Sequence, residues 1–174
     1  MRLPFWSGLS ALALLAACPA LAQTNEQAVL CANDSGKVAA IDRIGACTAL
    51  LADKSKTTPQ RSLIYIHRAW SYGLQQEWPK ALADYDTALK GDPGNSRLYN
   101  EKGLARLRMG RFAEAIINYD RAIKLNPAET YSIFGRGIAK GRLGQTAAGA
   151  SDLAAARKLD AGVDAVFENI GVRP

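Results

Sequence analysis

The strongest constraint on the fold is a 34-residue repeat that extends through residues 62–163. Identical residues recur at this spacing in six pairs: Ala81 and Ala115, Tyr85 and Tyr119, Asp86 and Asp120, Ala88 and Ala122, Lys90 and Lys124, and Pro93 and Pro127. One further step of the same length reaches Gly149, Leu153, Ala156 and Lys158. Self-similarity at a fixed interval of about 20 to 50 residues is typical of stacked repeats. We therefore predict three units, at 62–95, 96–129 and 130–163.

Each unit is predicted to contain two helices. Ser62 and Ser96 are expected to cap the first helix of units one and two, because a serine side chain can accept from a free N–H of the first turn. The second helix of these units is expected to end at Asp92 and at Asn126, since each precedes a proline and that position disfavours helical backbone. A two-helix unit repeated three times predicts an all-α protein.

Charged and small residues predict how the two helices of a unit are arranged. On the second helix, an acid and a base four residues apart are expected to pair on the exposed face, as Asp86 with Lys90 and Asp120 with Lys124. Small residues are expected where the two helices touch, because larger side chains would overpack the contact. These positions are Ala69, Gly103 and Gly137 on the first helices and Ala81, Ala115 and Gly149 on the second.

The order of these positions resembles the tetratricopeptide repeat (TPR). The residues that carry the resemblance are the small residue at position eight, the aromatic Trp78 or Phe112 at seventeen, the alanines at twenty and twenty-seven, the tyrosine at twenty-four and the proline at thirty-two. The resemblance covers residues 62–163. Unit three departs from it at Thr146, Gly149, Leu153 and Ala161, so its packing is expected to differ.

The resemblance implies a right-handed α-α superhelix of three TPR helical hairpins, preceded by an N-terminal helical pair and followed by a C-terminal capping helix. Residues 25–58 resemble the disulfide-bearing helical pair that precedes such repeats in exported bacterial TPR proteins. Residues 164–174 are expected to form the cap, because the last repeat of a solenoid otherwise exposes apolar surface.

The first 22 residues have the features of an export signal. Arg2 is a positive start, Leu9–Ala17 is a short apolar run, and Ala20–Ala22 fits the small-residue cleavage rule. The apolar run is too short to span a bilayer. We therefore expect a periplasmic or secreted protein, cleaved after Ala22.

A second processing route remains open within the same segment. The sequence of Leu15–Cys18, LAAC, resembles a bacterial lipobox, which would make Cys18 the lipidated first residue and anchor the protein in the outer membrane. Pro19 and the small residues that follow it favour ordinary cleavage. Membrane association is expected only if Cys18 is lipidated.

Two cysteines, Cys31 and Cys47, lie beyond the export signal. An even number of cysteines in an oxidising compartment favours a disulfide. They lie in two helix-like runs separated by a turn at 34–37, which could place them side by side. We predict a Cys31–Cys47 disulfide, and the alternative is two buried thiols.

The sequence contains no recognisable catalytic or cofactor-binding motif. His67 is the only histidine, and HExxH, GxSxG and P-loop patterns do not occur. Asp84 and Asp86 are two residues apart on a helix, so they point to different faces. The formal charge of +6 is spread among carboxylates, which favours a mixed-charge surface over nucleic-acid binding. We therefore predict no enzyme activity, no cofactor, no metal and no nucleic-acid partner.

The resemblance implies a concave surface lined by the first helix of each unit. Carried over position by position, its residues are Leu63, Ile66, His67, Trp70 and Leu74 from unit one, Arg97, Asn100, Glu101, Leu104 and Arg108 from unit two, and Tyr131, Phe134, Ile138 and Arg142 from unit three. TPR domains that bind a terminal carboxylate use lysine, asparagine and arginine at inner positions where this chain has Ile66, Trp70, Glu101, Tyr131 and Gly135. A ligand of that type is therefore not expected.

The predicted function is binding of another protein, as an adaptor or scaffold, through a partly apolar concave groove. Trp70 and Phe134 are the expected anchors, with Arg97, Arg108 and Arg142 at the rim. One alternative is that these side chains only pack against the N-terminal pair or complete the core. The other is a lipid-anchored structural component of the outer membrane.

Overall fold

The computed structural model describes residues 19–32 and 37–174, and this part of the chain is all-α, as predicted. Its helices are α1 (Pro19–Ala32), α2 (Ala40–Ala52), α3 (Thr58–Leu74), α4 (Trp78–Gly91), α5 (Ser96–Arg108), α6 (Phe112–Leu125), α7 (Thr130–Arg142), α8 (Thr146–Leu159) and α9 (Val163–Asn169). Residues 1–18, which include Cys18 and most of the predicted export signal, lie outside the described residues. Helix α1 begins at Pro19, before the predicted cleavage site after Ala22.

The first two helices, α1 and α2, are joined by the predicted disulfide. The sulfur atoms of Cys31 and Cys47 are bonded, and their Cα atoms lie 4.9 Å apart. Both cysteines are buried in a small apolar cluster that includes Leu50 of α2 and Ile64 of α3. The disulfide therefore lies where the N-terminal pair meets the first repeat.

The next six helices form three hairpins, α3/α4, α5/α6 and α7/α8, stacked in chain order. Two expected caps differ by a few residues. Thr57 precedes α3, and its N–H donates to Gln60 Oε1 at 2.9 Å. Ser62 lies inside α3, where its hydroxyl donates to the carbonyl oxygen of Ala88 and links α3 to α4. Asn95 caps α5, accepting from Leu98 N–H at 3.2 Å.

The small residues lie at the contacts between helices, as expected. A Cβ added to Gly149 of α8 would lie only 2.7 Å from the carbonyl oxygen of Gly137 in α7. In the α5/α6 hairpin, a Cβ added to Gly103 would lie 2.6 Å from the ring of Tyr119. Tyr119 is fully buried. Both hairpins therefore depend on a missing side chain where their two helices meet.

Asp86 and Asp120 form ion pairs with the next unit rather than within their own helix, which corrects the expected i,i+4 pairing. Asp86 pairs with Lys102 of the next unit instead of Lys90. Asp120 pairs with Arg136, at 2.8 Å, instead of Lys124. The stacking of units brings the first helix of each unit against the second helix of the one before, so a partly buried base is closer than the exposed lysine.

The end of the chain covers the third hairpin in two ways. α9 occupies the register that the first helix of a fourth unit would have, and Phe167 packs on Phe134 with ring centroids 4.8 Å apart. Gly171, with φ of +73°, ends α9, and Val172 N–H donates to Phe167 O at 2.9 Å. This is the left-handed helix ending that glycine favours. Ile170–Pro174, which we call the C-terminal segment, then lies against α5 and α7.

Candidate functional site

A cavity of about 500 Å³ opens between α3, α4 and α5. We call it the Trp pocket, because Trp70 of α3 and Trp78 of α4 form two of its walls. Its lining is mostly apolar and consists of Arg43, Trp70, Gly73, Leu74, Gln76, Trp78, Ala81, Tyr85, Glu101, Leu104, Ala105, Arg108, Asn169 and Ile170. Side chains from the N-terminal pair, units one and two and the end of α9 therefore meet in one space.

The tight turn between α3 and α4 places the two tryptophans. Trp78 is the first residue of α4, and a Cβ added to Gly73 would lie 3.3 Å from its ring. Trp70 lies one turn before Leu74 on α3, and Leu74 is 72% exposed at the pocket mouth. Leu104 of α5 lies at the position equivalent to Trp70, 34 residues later. The 34-residue spacing therefore places Leu104 on the α5 wall of the pocket.

Arginines of α5 stack on both tryptophans. The guanidinium of Arg97 lies 4.9 Å from the ring centroid of Trp70, and that of Arg108 lies 5.4 Å from Trp78. Both arginines are exposed. Burial raises the pKa of Glu101 at the pocket wall, while Arg97 and a hydrogen bond from Trp70 oppose that rise. The pocket therefore has a positive rim and a single shielded carboxyl.

Arg43 of α2 forms the wall nearest the N-terminal pair. It is 7% exposed, and its Nε donates to the carbonyl oxygen of Cys31 at 2.8 Å. Its Nη2 lies 3.1 Å from Nδ1 of His67. Cys47 is one turn after Arg43 on the same helix, so the disulfide holds the carbonyl oxygen of Cys31 beside this arginine. The N-terminal pair is therefore part of the pocket and not only a cap.

The predicted groove residues are divided between the pocket and other surfaces. Trp70, Leu104 and Arg108 line the pocket, together with Leu74 and Glu101. Two others contact the pocket walls, since Arg97 stacks on Trp70 and His67 contacts Arg43. Ile66 packs in the core between α3, α4 and α5. Three are exposed to solvent: Leu63, Tyr131 and Arg142.

Three predicted groove residues lie in the core, and this corrects their placement. Phe134 is 0% exposed beneath Phe167, so it offers no surface to a partner. Asn100 is buried and accepts from the hydroxyl of Ser132 in α7 at 3.1 Å. Ile138 is 2% exposed in the cluster that contains Val172. Asn100 faces α7, the first helix of the next unit, and Phe134 faces α9 in the same way. Ile138 is covered by the C-terminal segment.

The pocket residues missed from the sequence include Trp78, Tyr85 and Arg43. Trp78 and Tyr85 were considered only as aromatic positions of the repeat. Arg43 lies outside the repeats, so no register pointed to it. The turn at Gly73 and the disulfide bring these side chains to the pocket, and neither effect is visible in a 34-residue pattern.

The comparison with protein families agrees with the geometry. Residues 68–130, which extend from α3 to the first residue of α7, match the family described as "Tetratricopeptide repeat". Residues 68–130 therefore carry the tetratricopeptide-repeat pattern. A search of curated proteins finds no match to the chain.

Solved TPR structures share the fold. A crystal structure of MamA superposes with a TM-score of 0.70 at 16% identity, covering 79% of this chain and 78% of MamA. The Arabidopsis OM64 TPR domain gives 0.58 at 21% identity, covering 60% and 86%. The first TPR of Spaghetti (RPAP3), bound to the HSP90 peptide SRMEEVD, gives 0.57 at 24% identity, covering 59% and 81%. At these identities the likeness concerns the fold.

Residues 19–32 and 37–174 offer neither a metal centre nor a membrane-spanning helix. This part of the TPR protein holds no cluster of three or more His, Cys, Asp or Glu side chains arranged to bind a metal ion. None of its helices is long and apolar enough to cross a membrane.

Proposed function

We propose that this TPR protein is an exported adaptor that binds a segment of another protein in the Trp pocket. The observation that carries the proposal is the pocket itself, an open apolar cavity with two tryptophan walls and an arginine rim. Tryptophan and arginine are enriched among residues that dominate binding energy at interfaces. A solved TPR structure of the same fold holds a peptide, which supports a peptide segment as the type of ligand.

The exposed side chain at the pocket mouth supports an interaction surface. Leu74 is 72% exposed and adjoins Trp70 and Trp78. A contiguous apolar patch with a polar rim marks binding sites more often than ordinary surface. Catalysis, a cofactor and nucleic acid form no part of the proposal, because the pocket offers one shielded carboxyl and no nucleophile with a base.

The place of action is proposed from residues 1–22, whose sequence has the pattern of an export signal. Cleavage after Ala22 would leave a periplasmic or secreted adaptor. The sequence LAAC supports a second candidate, a lipid-anchored structural component of the outer membrane attached through Cys18. Intact mass of the purified protein separates the two, since it shows either a chain starting at Gln23 or an acylated chain starting at Cys18.

The binding function is tested by affinity capture from envelope extracts with two matched variants. Leu74→Glu places a charge at the pocket mouth, and Ile117→Glu places the same charge on α6, away from the pocket. Leu74 is 72% exposed and Ile117 is 68% exposed, so neither substitution should disturb folding. We expect a protein that is captured by the wild type and by Ile117→Glu to be lost from Leu74→Glu. Equal capture by all three would overturn the pocket as the binding site.

A further inference from the structure

The concave positions of the three units are not equally covered. Trp70, Leu104 and Ile138 are equivalent residues, 34 positions apart. The first two line the open Trp pocket, but Ile138 is only 2% exposed. Val172 of the C-terminal segment belongs to the same buried cluster as Ile138, and Pro174 lines a cavity beside it. The unit-three part of the groove is therefore already occupied by the chain itself.

Two arginine side chains bind the main chain of the C-terminal segment. Arg108 of α5 donates to the carbonyl oxygen of Ile170. Arg142 of α7, its equivalent one repeat later, donates to the carbonyl oxygen of Arg173 at 3.1 Å. Both arginines are exposed, and a carbonyl is present in every residue of any extended chain. These two contacts would therefore accept a segment of different sequence equally well.

The occupied and open parts of the groove are continuous. Asn169 and Ile170 form the end wall of the Trp pocket, so the pocket stops where the C-terminal segment starts. Displacing that segment would join Trp70, Leu104 and Ile138 into one apolar strip across three units. An extended ligand longer than the pocket needs this space.

The segment can be separated from the helix that caps the solenoid. Phe134 is covered by Phe167 of α9, and Arg157 of α8 pairs with Asp164 of α9 at 2.6 Å. These contacts hold α9 without the residues that follow it. Gly171, the second residue of the segment, has a positive φ of 73° that suits a turn. Movement beyond Gly171 would leave the α9 cap in place.

We propose that Ile170–Pro174 is an exchangeable occupant of the groove, and that an extended partner segment replaces it. That partner segment has an aliphatic side chain over Ile138 and main-chain carbonyls facing Arg108 and Arg142. This inference rests on the proposed function, because it concerns access to the same groove. The C-terminal segment would then limit binding to partners that can displace it.

A labelled peptide tests the exchange in the full-length chain. The probe is fluorescein-ENIGVRP, the sequence of Glu168–Pro174, titrated against the wild type, Val172→Asp and the control Val166→Asp while anisotropy is recorded. Val172 is 8% exposed in the groove, whereas Val166 is 40% exposed on α9. We expect Val172→Asp to bind at least tenfold more tightly than the other two, and Arg142→Ala to remove that gain. Equal affinities, or no binding by folded Val172→Asp, would overturn the proposal.

A labelling experiment answers the same question without relying on Val172→Asp. Ile138→Cys and the control Ile133→Cys are made in a Cys18→Ser chain, which leaves one thiol beside the disulfide. Ile133 is 8% exposed in the same core cluster. We expect the Ile138→Cys thiol to react with a maleimide at least tenfold faster than the control. Equal rates would show that the segment is a fixed part of the cap.

The two proposals fail in different ways. If Leu74→Glu loses a captured protein while peptide binding and labelling show no exchange, the adaptor function stands and the exchange is wrong. If the exchange is found but capture is the same for all variants, the C-terminal segment moves without serving the Trp pocket. Failure of both sets of experiments would reject the groove as a binding site.

Discussion

The hairpins of units two and three close the same gap between helices with different side chains. In unit two, the ring of Tyr119 lies against Gly103, in the space a Cβ there would need. Leu153 replaces that tyrosine in unit three, and Gly149 replaces the alanine. The main chains of α7 and α8 then meet directly, with the carbonyl oxygen of Gly149 3.0 Å from a Cβ placed on Gly137. A repeat that departs from the usual pattern is therefore packed by closer approach and not more loosely.

The same two hairpins differ in electrostatics. In unit three, Asp152 pairs with both Arg136 and Lys140. Unit two has Asn118 at the equivalent position, and its amide donates to Glu114 O within α6. Lys102 consequently pairs only with Asp86 of the preceding unit in the described part of the chain. The ion pairs within the two hairpins therefore differ in position, because unit two uses Arg106 and Glu114, 3.3 Å apart, and has no acid equivalent to Asp152.

Tyr119→Ala should produce the largest effect, because it empties the space that the ring fills in unit two. We expect the free energy of unfolding to fall by about 3 to 5 kcal/mol, measured by urea denaturation. Leu153→Ala, at the equivalent but only partly buried position, should cost less. Equal losses would mean that ring packing does not distinguish the two hairpins.

Gly149→Ala should be next, because the added methyl has no room beside Gly137. We expect a loss of about 1 to 3 kcal/mol, the usual cost of overpacking. Gly141→Ala is the matched control in α7, where an added Cβ meets no atom within 4 Å. Alanine favours a helix over glycine, so this control should gain up to about 1 kcal/mol. A tolerated Gly149→Ala would refute the direct contact of main chains.

Asp152→Asn should have a smaller effect that depends on pH. Burial raises the pKa of Asp152, but hydrogen bonds from Arg136 and Lys140 outweigh it and leave the pKa lowered. The carboxylate therefore stabilises the fold above its unfolded pKa of about 3.9, and this contribution disappears as pH falls through the lower folded value. We expect a loss of about 1 kcal/mol at pH 7, because asparagine keeps the size of the side chain and one acceptor oxygen.

The pH series supplies the control for this prediction. Thermal melts of the wild type and Asp152→Asn should converge as the solution is acidified. Asn118→Asp, which adds the missing carboxylate to unit two beside Lys102, should gain stability at pH 7. A difference between wild type and Asp152→Asn that persists at pH 2 would assign the loss to packing.

Tyr119→Phe should have the smallest effect. The Tyr119 hydroxyl is buried and has no hydrogen-bond partner among the described residues. Removing it leaves the ring in place, so we expect a change within about 0.5 kcal/mol, measured as a shift in melting temperature. A loss as large as that of Tyr119→Ala would show that the hydroxyl, and not the ring, holds unit two together.

Local residue pattern was enough to predict the repeats, the disulfide and the small residues at helix contacts. Each of these depends on neighbours close in sequence or on the fixed 34-residue register. Trp70, Leu104 and Arg108, which the register placed on one surface, all line the Trp pocket. Phe134 was misplaced because the repeat register does not show which side chains the C-terminal cap covers, and Phe167 of α9 packs on this ring.

The sequence by itself determined that this chain is a stack of TPR hairpins, since periodic small, aromatic and proline residues allow few other arrangements. Only the tertiary structure decided which side chains a partner could reach. The turn at Gly73, the disulfide-held Arg43 and the C-terminal segment over Ile138 all depend on contacts between residues far apart in sequence. A repeat pattern reflects how each unit packs on the next, but it does not show which side chains the two ends of the chain cover.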